Sequence, residues 1–177
     1  MQFLKQKQTM IYTIKRGSHF ASGFNFGIHP NGKTVSKTVK FFPNCAYDLG
    51  NTNQADINKL YGFSVGLFQS NQYNSARFGW RWSIEKQKIE LLAYVYVNGK
   101  RINEWDQNIF ITDINLMEEV YASIEIDSNK YKFSISKYSG GTISSAFSRA
   151  GSGTGYNQYP YFGGDEVAPH EMQIELK

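Results

Sequence analysis

The clearest alternation of apolar and polar positions lies between Ser75 and Trp105. Ala76, Phe78, Trp80, Trp82 and Ile84 alternate with Arg77, Gly79, Arg81 and Ser83, the period-two pattern of a strand with one buried face. A second run follows, with Ile89, Leu91, Ala93, Val95 and Val97 on one side and Glu90, Leu92, Tyr94 and Tyr96 on the other. Asn98-Gly99 then reads as a type I′ turn, because both residues tolerate positive φ, so the chain returns toward Trp105. Pairing Ile84 with Ile89 brings the apolar sets onto one face. It places Arg77 beside Tyr96, Gly79 beside Tyr94 and Arg81 beside Leu92. The turn sets Arg101 across from Tyr96, Asn103 across from Tyr94 and Trp105 across from Leu92. The face away from the core thus collects Arg77, Arg81, Tyr94, Tyr96, Arg101, Asn103 and Trp105, and this block is the candidate ligand or partner face.

The rest of the chain reads as more short strands between turns. Residues 10–14 form a first strand, stopped by Arg16-Gly17-Ser18, and 20–31 is irregular, broken by Gly23, Gly27 and Pro30. A strand over 35–42 points Val35, Val39 and Phe41 inward and is closed by Pro43. Residues 53–60 hold the one short helix expected, with Asn53 as its cap. Residues 61–68 and 109–116 read as strands. Val120 to Ile126 pairs with Tyr131 to Lys137, a register in which Ala122, Ile124 and Ile126 meet Ile135, Phe133 and Tyr131, while Glu125 meets Lys132 on the other face. The glycine-rich 139–155 reads as a mobile loop or crossing. Met172, Ile174 and Leu176 face inward from a last strand. About ten short strands with almost no helix predict an all-β, two-sheet antiparallel jelly-roll sandwich with at most one short helix, in a single domain over 1–177.

Composition narrows the function classes. Cys45 is the only cysteine, so neither an intramolecular disulfide nor a cysteine metal site is indicated, and it reads as a small core residue beside Tyr47. The first eight residues lack the apolar run of a signal peptide, and no stretch approaches membrane-spanning length, so no membrane partner is expected. The net charge of +4 is spread without a basic run, and Phe78 and Trp80 fall on the buried face, so nucleic acid is not expected. Aromatic residues at 16% suit an all-β domain with aromatic surfaces.

Phe78-Gly-Trp-Arg-Trp82, the run from Ile89 to Arg101, and the ending Tyr159-Pro-Tyr-Phe-Gly-Gly-Asp-Glu-Val-Ala-Pro-His-Glu-Met172 resemble concanavalin-like jelly-roll domains of the lectin and glucanase type. The ending is similar to that of small phage structural and bacterial surface proteins. The resemblance implies a sandwich with one concave sheet that often binds carbohydrate. Its catalytic version carries Glu-x-Asp-x-x-Glu on a strand. Here Glu125 and Asp127 are followed by Lys130, which cannot act as the carboxylic acid of a retaining glycosidase, so no catalytic residue is assigned.

Asp48, Asn51, Asn53 and Asp56 are the candidate oxygen ligands for calcium, although turns and helix caps use the same residues and the spacing is not that of an EF-hand. Asp165, Glu166, His170 and Glu171 read as a tight turn before the last strand. His19 and His29 have no nucleophile motif nearby, and no phosphate loop, Gly-x-Ser-x-Gly or His-Glu-x-x-His appears. The expected role is a non-enzymatic structural or binding module, a phage virion or surface-assembly component of the decoration or fibre-associated type. It would pair with copies of itself, with other virion or surface proteins, or with a glycan. It would reach the virion or cell surface without a classical signal peptide, or else stay cytoplasmic. A lectin-like carbohydrate binder is the alternative, and a glycan-cleaving enzyme the third reading.

Overall fold

The computed structural model describes residues 9–23 and 26–177. The polar start over 1–8 and residues 24 and 25 of the irregular segment lie outside the described residues. Two antiparallel sheets pack face to face. One has the strand order β1 (Met10–Ile14), β13 (Met172–Leu176), β3 (Val35–Phe41), β9 (Val120–Asp127), β10 (Lys130–Lys137) and β11 (Thr142–Ser148). The other runs β2 (Ile28–His29), β12 (Gly155–Gln158), β4 (Asn58–Ser64), β5 (Ser75–Ser83), β6 (Lys88–Val97) and β7 (Lys100–Arg101), with β8 (Phe110–Ile114) also on β6. The protein is an all-β sandwich.

Alternation in the sequence sets the two inner faces. The β9–β10 hairpin takes the register that its side chains demand, with Ala122 opposite Ile135, Ile124 opposite Phe133 and Glu125 opposite Lys132. Phe78 meets Phe133 edge-on at 5.0 Å between ring centres, and Trp80 lies 5.1 Å from Phe41. Aromatic pairs that bridge the sheets in tilted and edge-on geometry add to the burial of their area. Cys45 is fully buried near this layer, its Sγ donating to the Gln173 carbonyl at 3.1 Å.

Several expectations change. No α-helix forms over 53–60: Asn51, not Asn53, caps a 3-10 turn at Thr52–Ala55, and Asn58 already begins β4. The strand expected over 61–68 is thus shifted toward the N-terminus. The glycine-rich stretch contains β11 and the start of β12. In place of the mobile loop or crossing expected there, Ser144 and Thr142 pair with Ser134 and Ser136 of β10 through hydroxyl contacts of 2.9 and 2.8 Å. The β5–β6 register is displaced by two residues, with Ser83 opposite Lys88 and Arg77 opposite Tyr94 instead of Tyr96. The connecting turn keeps four residues but lies one place earlier in the chain: Gln87 takes φ 52 and Ile84 leaves the core row for a half-exposed place in the turn. Asn98 and Gly99, at φ 50 and 80, make the expected turn and set Arg101 opposite Tyr96.

Candidate functional site

A bulge in β4 builds the site. Lys59 pairs with Gly79 and Gly62 with Arg77, so Leu60 and Tyr61 together oppose Phe78. Both turn into the core, where the Tyr61 hydroxyl donates to the Ala122 carbonyl at 2.6 Å. An extra residue of this kind re-aims its neighbours, and here it leaves Lys59 on the face away from the core, beside Arg77 and Tyr94. Those three side chains and Ser64 line a groove of about 800 Å3. Gln69, Asn71 and Gln72 from the β4–β5 connection border it, and Tyr156, Asn157, Gln158, Tyr159 and Tyr161 form its other wall. Exposed Phe20 and Phe26 stand on the rim, Phe26 within 5.7 Å of the Tyr156 ring and Phe20 edge-on to Tyr161 at 5.0 Å.

The groove is cationic at its base. Arg77 is only 7% exposed and Lys59 8%. The Arg77 guanidinium carbon lies 4.8 Å from the Tyr94 ring centre, and its buried Nε has no hydrogen-bond partner. Among the described residues no carboxylate forms an ion pair with Arg77 or Lys59. Lys59 Nζ donates to the Gly163 carbonyl at 2.6 Å and lies between two rings, 5.1 Å from Tyr94 and 5.3 Å from Tyr161. Burial pulls the ammonium of Lys59 and the guanidinium of Arg77 below their usual values. Burial pushes Tyr94 the other way, but the charge of Lys59, hydrogen bonds with Tyr96 and Arg101 and the charge of Arg77 bring its hydroxyl below the ordinary tyrosine value. Burial and the hydrogen bond with Tyr94 raise Tyr96. Buried cations of this kind attract an anion and favour the ionised form of a neighbouring phenol.

Four residues of the expected face are brought together here. Arg77, Tyr94, Tyr96 and Arg101 are neighbours, with Arg101 5.5 Å from the Tyr94 ring centre. Arg81 is not available to a ligand in the same way, because its Nε binds Glu90 at 2.6 Å and its Nη1 binds Glu104 at 3.1 Å. Asn103 and Trp105 do not sit across from Tyr94 and Leu92. After Ile102 the chain leaves the sheet in a tight loop, and β8 takes the place beside Leu92.

The calcium candidates are spent on local structure. The Asp48 carboxylate accepts from Gly50 N–H at 2.8 Å, Asn51 caps the 3-10 turn, and the Asn53 amide donates to Glu166 at 2.9 Å. Asp56 lies beside Gly164 at the groove. Among the described residues no three His, Cys, Asp or Glu side chains gather as a metal site. The segment around His170 bends before β13, and the ring Nε2 donates to the Asn44 carbonyl at 2.9 Å. Glu125 lies opposite Lys132 on the other sheet, away from the groove.

Lys59 and the wall from Tyr156 to Tyr161 escaped the sequence reading. Lys59 sits two residues before the Tyr61-Gly62 pair that marks the bulge. The wall is announced by a dense run of tyrosines and amides, Tyr156-Asn-Gln-Tyr-Pro-Tyr161, whose place against β4 depends on a contact between distant parts of the chain.

No protein-family model matches the sequence, and no curated protein sequence matches it. Solved structures match by shape. The alginate lyase from Klebsiella pneumoniae is similar over 81% of this chain and 56% of its own, at 13% identity and a TM-score of 0.53. A functionally unknown protein from Saccharomyces cerevisiae matches 95% of this chain and 82% of its own, at 10% identity and a TM-score of 0.51. A scytalido-glutamic peptidase, solved with a peptide-based transition-state analogue, matches 96% of this chain and 63% of its own, at 12% identity and a TM-score of 0.42. The chain thus spans less than two thirds of the peptidase and of the lyase. The fold is a concanavalin-like jelly-roll sandwich. The similar solved structures include an enzyme, the alginate lyase, and this goes against the expectation of a non-enzymatic virion or surface-assembly component. At these identities the likeness speaks to the fold, and the chemistry has to be argued from the groove.

Proposed function

We propose that the protein binds an acidic polysaccharide in this groove and cleaves it by β-elimination. The observation that carries the reading is Arg77, a guanidinium almost fully buried with no carboxylate partner, set against Tyr94 beside the equally buried Lys59. Two unpaired buried cations destabilise the free protein, and a carboxylated sugar supplies the missing charge. The tyrosine and phenylalanine rings of the wall and rim offer stacking surfaces for pyranose faces, and the amides of Gln69, Asn71 and Gln158 offer hydrogen bonds to hydroxyls.

Paired carboxylates for hydrolysis are not what lines the groove; Asp165 is the one acidic residue on it among the described residues. Elimination suits the groups present. Arg77 and Lys59 neutralise the uronate carboxylate and so acidify the carbon-bound proton next to it. Tyr94 as phenolate takes that proton, the electron pair forms a carbon–carbon double bond, and the glycosidic carbon–oxygen bond on the adjacent carbon breaks. The phenol then formed on Tyr94 can return the proton to the leaving oxygen. That an alginate lyase shares the fold supports the reading.

The test is incubation with polymannuronate, polygalacturonate and a neutral glucan, followed by the ultraviolet absorbance of the unsaturated uronate. Absorbance should rise with a polyuronate only, and Arg77→Ala should slow it on the order of 100-fold. Saturable binding without product would replace the enzyme by the lectin-like reading, which the exposed Phe20 and Phe26 rings favour. Reducing ends released from the neutral glucan would overturn the proposal.

A further inference from the structure

Beyond Tyr94 a second cleft of about 140 Å3 opens between residues 55–57 and the loop that follows β7, with Arg101 and Trp105 on its edge. It lies beside the groove. Arg101 belongs to this cleft and lies against the Tyr94 ring, while Asp56 lines the cleft and abuts Gly164 of the groove.

The loop is held from both sides. The Asn103 Oδ1 accepts from the backbone N–H of Trp105 at 2.9 Å and of Asp106 at 3.3 Å, and the Asp106 carboxylate accepts from the Asn103 N–H at 3.2 Å. Glu104 is tied to Arg81, which is itself anchored on Glu90. On top of this frame Trp105 is 96% exposed. A large ring held in water contributes almost nothing to folding, and here it shares a cleft with Arg101 next to the site proposed for acidic sugars.

We propose that the glycan track runs from the groove across Arg101 to Trp105, so that the protein takes hold of a polymer of acidic sugars along its length and not by its end alone. The indole stacks on a sugar face several units from the bond that breaks, and Arg101 pairs with the carboxylate of an intervening unit. Arg81 and Asn103 are positioning residues that fix the loop. The inference rests on the acidic-polysaccharide reading of the groove.

Calorimetric titration of the full chain with mannuronate disaccharide, tetrasaccharide and octasaccharide tests it. Affinity should rise with length, and Trp105→Ala should weaken the octasaccharide roughly tenfold while leaving the disaccharide unchanged, with Trp105→Tyr retaining most of the gain. Trp105 is 96% exposed, so the variant reads binding and not folding. Equal affinity at all three lengths, or an octasaccharide indifferent to Trp105→Ala, overturns the track. If Arg77→Ala weakens every probe while Trp105→Ala is silent, the groove reading stands and the track alone falls. No binding of any probe overturns both.

Discussion

Lys59 Nζ stands 5.1 Å from the centre of the Tyr94 ring while it donates one proton to the Gly163 carbonyl at 2.6 Å. The ammonium is therefore fixed where its field acts on the phenol. Burial raises Tyr94, and Lys59, the hydrogen bonds with Tyr96 and Arg101, and Arg77 together outweigh it. The folded value lies below the unfolded one, so the phenolate adds stability above the ordinary tyrosine range and that contribution is lost as pH falls through the folded value. In a spectrophotometric titration Tyr94 should be the earliest tyrosine to ionise. Tyr94→Phe should remove that first step, and Lys59→Met should move it to higher pH, along with the alkaline-rising limb of activity. A first step that survives Tyr94→Phe would assign it to another ring.

How much of this was visible in the sequence depends on what alternation can fix. The β9–β10 register was legible because apolar and charged sets agree in only one way, with Glu125 meeting Lys132. The β5–β6 register was not, because a slip of two residues returns every side chain to its own face, so Phe78, Trp80, Leu91 and Ala93 look equally satisfied either way. Turn geometry at Gln87 decides it. The bulge hid Lys59, since Leu60 and Tyr61 face the same way and break the period. Arg77, Tyr94, Tyr96 and Arg101 were grouped correctly because a slip of two preserves the face, whereas Trp105 was misplaced because nothing in the alternation announces that the chain leaves the sheet after Ile102.

Gly62→Ala should test the bulge. A Cβ there would meet the carbonyl of Ala76 and the Cα of Arg77, both backbone atoms of the partner strand. No side chain can swing aside, so β4 must move off β5. Overpacking of this kind costs about 1 to 3 kcal/mol, and the upper end is expected because backbone is involved. Urea unfolding should show the loss, and activity in the folded fraction should fall as well, since Lys59 is carried by the same strand. A change smaller than about 1 kcal/mol would mean that the strands separate there without strain.

Cys45 should report unfolding and nothing else. Burial pushes its thiol up to about 12, so thiolate is scarce at neutral pH even where a reagent can reach it. Labelling by a thiol-reactive dye should be slow in the native protein and should follow the denaturant transition seen by tryptophan fluorescence. Fast labelling without denaturant would point to local opening of the layer around Gln173.

Arg77→Met separates function from stability. The guanidinium is buried, its Nε is unpartnered, and among the described residues no carboxylate offsets its charge. Replacing a buried charge by an apolar chain of similar length removes that desolvation penalty; where buried ionic groups have been exchanged for apolar ones, stability has often risen by about 1 to 4 kcal/mol. Methionine is flexible enough to reach the Tyr94 ring where the guanidinium now sits. The variant should therefore unfold at higher denaturant while losing polyuronate binding, the pattern of a residue kept for its ligand at the expense of the fold. A variant that loses both stability and binding would make Arg77 a structural residue, with the groove's charge resting on Lys59 and Arg101.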